Sequence, residues 1–224
     1  MTPSFSPRLE ILPAAQRKLW PELAETPAEF TLYGGTAIAL RLAHRQSADF
    51  DFFTLESFEP SALLQKISYL KGAALRQAAP NTLSVNLDRG GVIQLSYFGS
   101  LGIGQVAPDK RVEGPGFRVA SLVDLAGMKV AVLPQRVEVR DYLDIHALLT
   151  QAGISLPEML SAAVIIYGAQ FNPLISLKAI TYHNDFALAD LSKGMRDDLL
   201  AAAQATDIRK LPKLSAFRER DSQS

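Results

Sequence analysis

The chain has 224 residues, 23 Lys plus Arg against 23 Asp plus Glu, and no cysteine. That length allows one domain with an appendage or two small domains, and the charge balance argues against a duplex-coating or membrane-surface protein, so any nucleic-acid contact must be local. Without cysteine there are no disulfides, thiolate metal sites or cysteine nucleophiles. With no apolar leader in "MTPSFSPRLE" and no uninterrupted apolar run of about 18 residues, the expectation is a cytoplasmic protein with no signal peptide or membrane span.

In chain order, residues 8–24 read as a first helix, interrupted near Pro13 and ended around Pro27. "EFTLY" (29–33) is a short β-branched and aromatic run that stops at Gly34-Gly35, and "TAIALRLAHR" continues with helical spacing. "DFDFFTL" (49–55) alternates acid with aromatic at period two, the pattern of a strand with two unlike faces. A helix is expected over 60–72. "TLSVNLDRGGVIQLSYFG" (82–99) reads as two strands around an Asp88-Arg89-Gly90-Gly91 turn. The Gly- and Pro-rich stretch 99–116 is a connection with room for one more strand.

From residue 121 the spacing becomes helical. Ser121 and Asp124 have capping-box spacing. "VRDYLDIHALL" (139–149) is a helix with Gly153 as its stop, Ser155-x-Pro157-Glu158 starts another, and 191–211 reads as the last long helix. The division that follows is a β-rich segment, 1–118, and a helical one, 119–224.

The residues with chemistry lie early. Phosphate binding needs converging backbone N–H groups at a helix N-terminus, and a glycine pair lets the backbone approach without Cβ interference; Gly34-Gly35-Thr36 offers this. The plain alternative is an ordinary tight turn. On a strand, Asp49 and Asp51 project their carboxylates to one side while Phe50 and Phe52 enter the core. Two such acids repel unless a cation sits between them, and hard oxygen donors suit Mg²⁺ or Mn²⁺. The plain alternative there is a solvated strand face. A phosphate cradle beside a metal site is the layout for in-line, metal-assisted nucleotidyl transfer.

"GGTAIALRLAHRQSADFDFF" resembles the signature of the AbiEii/AbiGii toxin family of nucleotidyltransferases, a branch of the polymerase-β-like superfamily. A second block, "KVAVLPQRVEVRDYLD", is similar to that family's later motif and covers Lys129, Arg136, Arg140, Asp141 and Asp144. The resemblance spans about residues 30–150. It implies an α+β nucleotidyltransferase fold, a mixed-sheet core with a helical C-terminal lobe that closes a nucleotide cleft. It implies that Gly34, Gly35 and Thr36 hold the triphosphate, with Arg45 and Ser47 also matching the pattern, and that Asp49 and Asp51 bind catalytic Mg²⁺. Lys129 and Asp141 become the preferred functional pair, with Lys129, Arg136 and Arg140 as phosphate ligands. The plain alternative for this second block is an exposed helix laced with pairs such as Arg140 with Asp144. "ITYHNDFA" (180–187) is loosely similar to a C-terminal family stretch and receives no role. The implied biology is the toxin half of a bacterial toxin–antitoxin or phage-defence pair, acting from a nucleoside triphosphate onto RNA such as tRNA and silenced by a cognate antitoxin. An RNA acceptor would need a local basic groove, drawn from Lys129, Arg136, Arg140, Arg41 and Arg45.

One departure matters. The superfamily commonly uses a third carboxylate from a neighbouring strand, and the candidate strand "GVIQLSYFG" offers Gln94 and Ser96, neither a base nor an anionic ligand. Asp88 and Asp109 fall in a turn and in an irregular stretch. Two other readings therefore stand beside the first: a non-catalytic nucleotide- or partner-binding module on the same fold, and a transferase for a small molecule or a protein hydroxyl. His44, His146 and His183 lack metal-ligand spacing, Trp20 reads as core, and the basic tail 207–224 as a frayed terminus.

Overall fold

The computed structural model describes residues 3–182 and 190–219. It separates into two compact units: residues 1–102 with 109–120, and residues 103–108 with 121–224. His183 and most of the 180–187 stretch lie outside the described residues.

The first unit holds the strands β1 (Ser4–Phe5), β2 (Thr31–Tyr33), β3 (Asp49–Phe53), β4 (Ala74–Ala79), β5 (Thr82–Asp88), β6 (Val92–Phe98), β7 (Lys110–Val112) and β8 (Arg118–Val119). It also holds the helices α1 (Ala14–Leu19), α2 (Gly34–Leu42) and α3 (Pro60–Lys66). The strands form one mixed sheet in the order β1-β7-β8-β2-β3-β6-β5-β4. β3 pairs antiparallel with β2 and parallel with β6. The alternation in β3 is realised: Phe50 and Phe52 are fully buried while Asp49 and Asp51 on the other face are not. Phe52 stacks on Tyr97 of β6 at 5.4 Å and meets Phe117 edge-on at 5.6 Å, an aromatic core that fixes which way β3 faces. Tyr97, Tyr69 and Thr26 join their hydroxyls in a buried chain at 2.7 and 2.8 Å, so none of these polar groups is buried without a partner.

The turn between β5 and β6 forms where expected. Asp88 Oδ1 accepts from the Gly90 and Gly91 amides at 2.7 and 3.0 Å, and both glycines have positive φ. Arg89 then forks onto Glu22 with bonds of 2.8 and 2.7 Å, tying the turn to the segment after α1.

Several elements differ from expectation, among them the helix expected over 60–72, which ends at Lys66. The first helix is only α1, flanked by 3₁₀ turns at Leu9–Ile11 and Trp20–Glu25, because Pro13 and Pro21 each restart the chain. α2 stops at Leu42, before His44 and Arg45, because Ala43 adopts a left-handed conformation (φ 52°) that ends the helix. The edge strand β4, "ALRQAA", was not anticipated, since alanine and glutamine favour helix and only pairing with β5 holds it extended.

The second unit is helical: α4 (Leu122–Val132), α5 (Val139–Thr150), α6 (Leu156–Tyr167), α7 (Pro173–Thr181) and α8 (Lys193–Gln204). α8 is shorter than the predicted 191–211 helix, and α7, capped by the Asn172 side chain, was not predicted. α4 and α6 pack closely through small residues: a Cβ on Gly127 would stand 2.9 Å from Ala162 Cβ. Ser155 and Glu158 form a complete capping box at the start of α6. At α4 only half of that motif forms. Ser121 caps the Asp124 amide and donates its hydroxyl to the Asp124 carboxylate, which also accepts from the Val106 and Ala107 amides at 2.6 and 3.1 Å and so anchors the 103–108 segment to the start of α4. Among the described residues no helix is long and apolar enough to cross a membrane.

Candidate active site

β2 runs straight into α2 with no intervening loop, so the Gly34-Gly35-Thr36 amides open the helix beside the middle of β3, where Tyr33 is in register with Asp51. Gly34 has φ +74°, and a Cβ there would stand 2.7 Å from Asp51 Oδ2. Glycine is required here twice, by the backbone conformation and by the close approach of the carboxylate. A Cβ on Gly35 would collide with the Arg45 guanidinium and lie 3.0 Å from Ser47 Oγ. The loop between α2 and β3 therefore folds its Arg45 and Ser47 side chains back over the turn. Thr36, wholly buried, donates its hydroxyl to the Asp49 carbonyl in a short bond, locking the first turn of α2 onto the start of β3.

The structure thus brings Gly34, Gly35, Thr36, Arg45, Ser47, Asp49 and Asp51 together within the first unit. Arg41 does not join them as an open cation. It donates to the Val119 carbonyl at 3.2 Å and stands 4.6 Å over the Phe5 ring; burial, partly opposed by Asp109, depresses its pKa to about 10.

On the other side of β3 the register is explicit: Asp49 lies opposite Gln94 and Asp51 opposite Ser96 of β6, and Gln94 and Ser96 lie opposite Asn86 and Ser84 of β5. Ser84 donates to Ser96 at 3.0 Å. Gln94 Oε1 accepts from Arg76 of β4 at 2.9 Å. Asp88 is engaged by its turn, and Asp109 accepts from Thr31 Oγ1 at 2.9 Å. Among the described residues no group of three or more His, Asp or Glu side chains converges. Sequence reasoning missed Arg76 because the alanine-rich "ALRQAA" carries no strand signal; without β4 the arginine has no face to belong to.

The second motif block forms a separate cluster within the helical unit. Lys129 of α4, 8% exposed, donates to Asp141 Oδ1 at 2.8 Å and pairs with Asp144 Oδ2 at 2.6 Å, both carboxylates of α5 fully buried. Arg136 reaches the same Asp141 through Nε at 2.9 Å and its terminal nitrogen at 3.2 Å. Burial works to raise the Asp141 pKa, but Lys129 and Arg136 outweigh it and hold the carboxyl below its usual range. Arg140 pairs with Glu138 in a short contact, and Asp144 is reached by Lys129 from α4, a partner that spacing along α5 does not show. The Lys129 charge is matched inside the cluster and is not open surface for RNA phosphates.

Comparison with known proteins defines the class first. MenT4, a nucleotidyltransferase toxin of Mycobacterium tuberculosis H37Rv, is similar over 87% of this chain and 83% of its own, with 14% identity and a TM-score of 0.60. A structure described as a candidate nucleotidyltransferase from H. pylori is similar over 89% of this chain and 95% of its own, with 18% identity and a TM-score of 0.53. The fold is that of the nucleotidyltransferases, α+β with a mixed sheet. In sequence, the family described as nucleotidyl transferase AbiEii toxin, Type IV TA system, matches residues 22–219, and the chain belongs to that family. An uncharacterized protein of Aquifex aeolicus (strain VF5) is 32% identical over 133 residues, 58% of this chain and 63% of that protein's length.

Proposed function

We propose that the protein is a metal-dependent nucleotidyltransferase that moves a nucleoside monophosphate group from a nucleoside triphosphate to an RNA acceptor such as tRNA. In this reading it is the cytoplasmic toxin of a toxin–antitoxin pair, held silent by a cognate antitoxin. The observation that carries it is the placement of the Gly34–Thr36 turn directly against Asp51, which sets the helix-start amides beside the two carboxylates of β3.

The residues fit a divalent cation. Asp49 and Asp51 offer hard oxygen donors from one strand face, and the missing Cβ of Gly34 leaves the Asp51 carboxylate room at the turn. When bound, Mg²⁺ or Mn²⁺ would neutralise phosphate charge and act as a Lewis acid at the α-phosphoryl group.

The protein's own groups do the rest. The turn amides and Thr36 hold the triphosphate, with Arg45 and Ser47 closing over it. The acceptor hydroxyl oxygen bonds to the α-phosphorus, the bond to the α–β bridging oxygen breaks, and pyrophosphate leaves with that electron pair. The hydroxyl proton passes through the Asp49 carboxylate to solvent, because Gln94 has no basic atom. In the helical unit, Lys129 with Asp141, supported by Arg136, is the proposed functional pair, and Arg140 a phosphate ligand.

The reading is tested by incubating purified protein with Mg²⁺, bulk tRNA and each nucleoside triphosphate labelled at the α- or γ-phosphate. Label on RNA from the α position alone supports it. Label from the γ position, or on the protein itself, contradicts it. A second reading is motivated by Gln94 standing opposite Asp49 where a carboxylate would complete the set: a binding module that holds nucleotide without transfer. Mg²⁺-dependent nucleotide affinity with no product on tRNA, a small-molecule hydroxyl or a protein would favour it.

A further inference from the structure

Arg76 projects from β4, the sheet edge, yet its guanidinium donates to Gln94 two strands away on β6. That hydrogen bond is its only partner among the described residues, and no carboxylate pairs with it. A guanidinium has five N–H donors, so most of its capacity to fork onto an oxyanion is unused. Gln94 in turn shares a face with Asp49, its register partner. With its oxygen occupied by Arg76, the Gln94 amide offers N–H donors rather than a metal ligand. Between them on β5, Asn86 Oδ1 is shut off from solvent and has no hydrogen-bond partner among the described residues. Three polar side chains thus run from Asp49 across β6, β5 and β4, a span of about 14 Å at the usual strand spacing.

The order of the strands gives this strip a direction. The Gly34–Thr36 turn follows β2, on one side of β3, and Gln94, Asn86 and Arg76 lie on the other. In phosphoryl-group transfer the attacking and leaving oxygens stand roughly in line across phosphorus. If pyrophosphate leaves toward the glycine turn, the acceptor must arrive over β6, β5 and β4.

Building on the transferase reading above, we propose that Arg76, positioned by Gln94, binds a phosphodiester of the acceptor strand next to its reacting hydroxyl. The acceptor this contact fits carries a phosphodiester beside its reacting hydroxyl, as an RNA end does. A cationic small molecule is the wrong charge for this entry, because an exposed arginine would repel it on approach.

The test compares wild type with Arg76→Ala, Arg76→Lys and Gln94→Ala, each verified as folded by thermal melting. Bulk tRNA binding is measured across a salt series, and Mg²⁺-dependent nucleoside triphosphate binding by calorimetry. Arg76→Ala is expected to weaken tRNA binding about tenfold, as for a lost charged hydrogen bond, and to flatten the log–log salt slope by about 0.7. Triphosphate affinity should stay within about twofold, and Arg76→Lys should restore the slope but not the full affinity. Gln94→Ala should act in the same direction as Arg76→Ala. The proposal is overturned if wild type binds no tRNA, if Arg76→Ala leaves affinity and slope unchanged, or if triphosphate affinity falls in their place, which would assign Arg76 to the leaving-group side. These are binding readouts, so a wild type that binds tRNA through Arg76 but transfers no label would sink the transferase reading while leaving this one standing.

Discussion

Gly34 and Asp51 approach so closely that any side chain at residue 34 would meet the Asp51 carboxylate, the ideal Cβ position lying 2.7 Å from Oδ2. The turn and the acidic strand are therefore one device, and disturbing the first displaces the second.

Gly34→Ala tests this coupling. Alanine at φ +74° costs about 1–2 kcal/mol of backbone strain, and the clash should also rotate the Asp51 carboxylate. The expected result is a folded protein with a lowered melting temperature and Mg²⁺-dependent triphosphate affinity reduced at least tenfold, read by calorimetry. Unchanged affinity would detach the glycine turn from the nucleotide.

The buried cluster in the helical unit makes a prediction about stability. Asp141→Ala leaves Lys129 with Asp144 and removes the buried carboxylate that Arg136 reaches. Breaking a buried pair from one side costs about 3–5 kcal/mol, so urea unfolding should show a loss of that order. Conservative Asp141→Asn should lose less, because the amide keeps the oxygen that accepts from Lys129.

The same carboxyl makes part of the stability pH-dependent. Its folded pKa lies below the ordinary value of 3.8, so the unfolded chain binds a proton more readily than the folded one. The stabilisation is complete above that value and is lost as pH falls through the ordinary range toward the lowered one. Urea midpoints measured from pH 7 to pH 3 should fall at the acid end in wild type, and Asp141→Asn should flatten that fall.

Ser155→Ala is the structural control. Removing the capping hydroxyl of α6 should cost about 1 kcal/mol and leave label transfer unchanged, because Ser155 and Glu158 serve only the helix start. A transfer defect larger than the loss of folded protein would give this cap a role beyond stability.

Much of the first unit was legible because its signals are local. Acid–aromatic alternation predicted which face of β3 carries Asp49 and Asp51, and Asp88-Arg89-Gly90-Gly91 marked the turn. What escaped depends on partners distant in sequence. β4 is extended only because β5 pairs with it, so Arg76 could not be placed on the Asp49 face beforehand. Likewise spacing along α5 suggested Arg140 with Asp144, but α4 supplies Lys129, a partner that helical periodicity alone cannot reveal.

The central claim is that Asp49 and Asp51 serve nucleotidyl transfer. The most direct measurement incubates wild type and the Asp49→Ala, Asp51→Ala double variant with Mg²⁺, bulk tRNA and each of the four α-labelled nucleoside triphosphates. Both side chains lie on the half-exposed face of β3, so the variant should remain folded, as a melting curve would check. Label should appear on RNA with the wild type and be absent with the variant. Equal label from both proteins would contradict the claim.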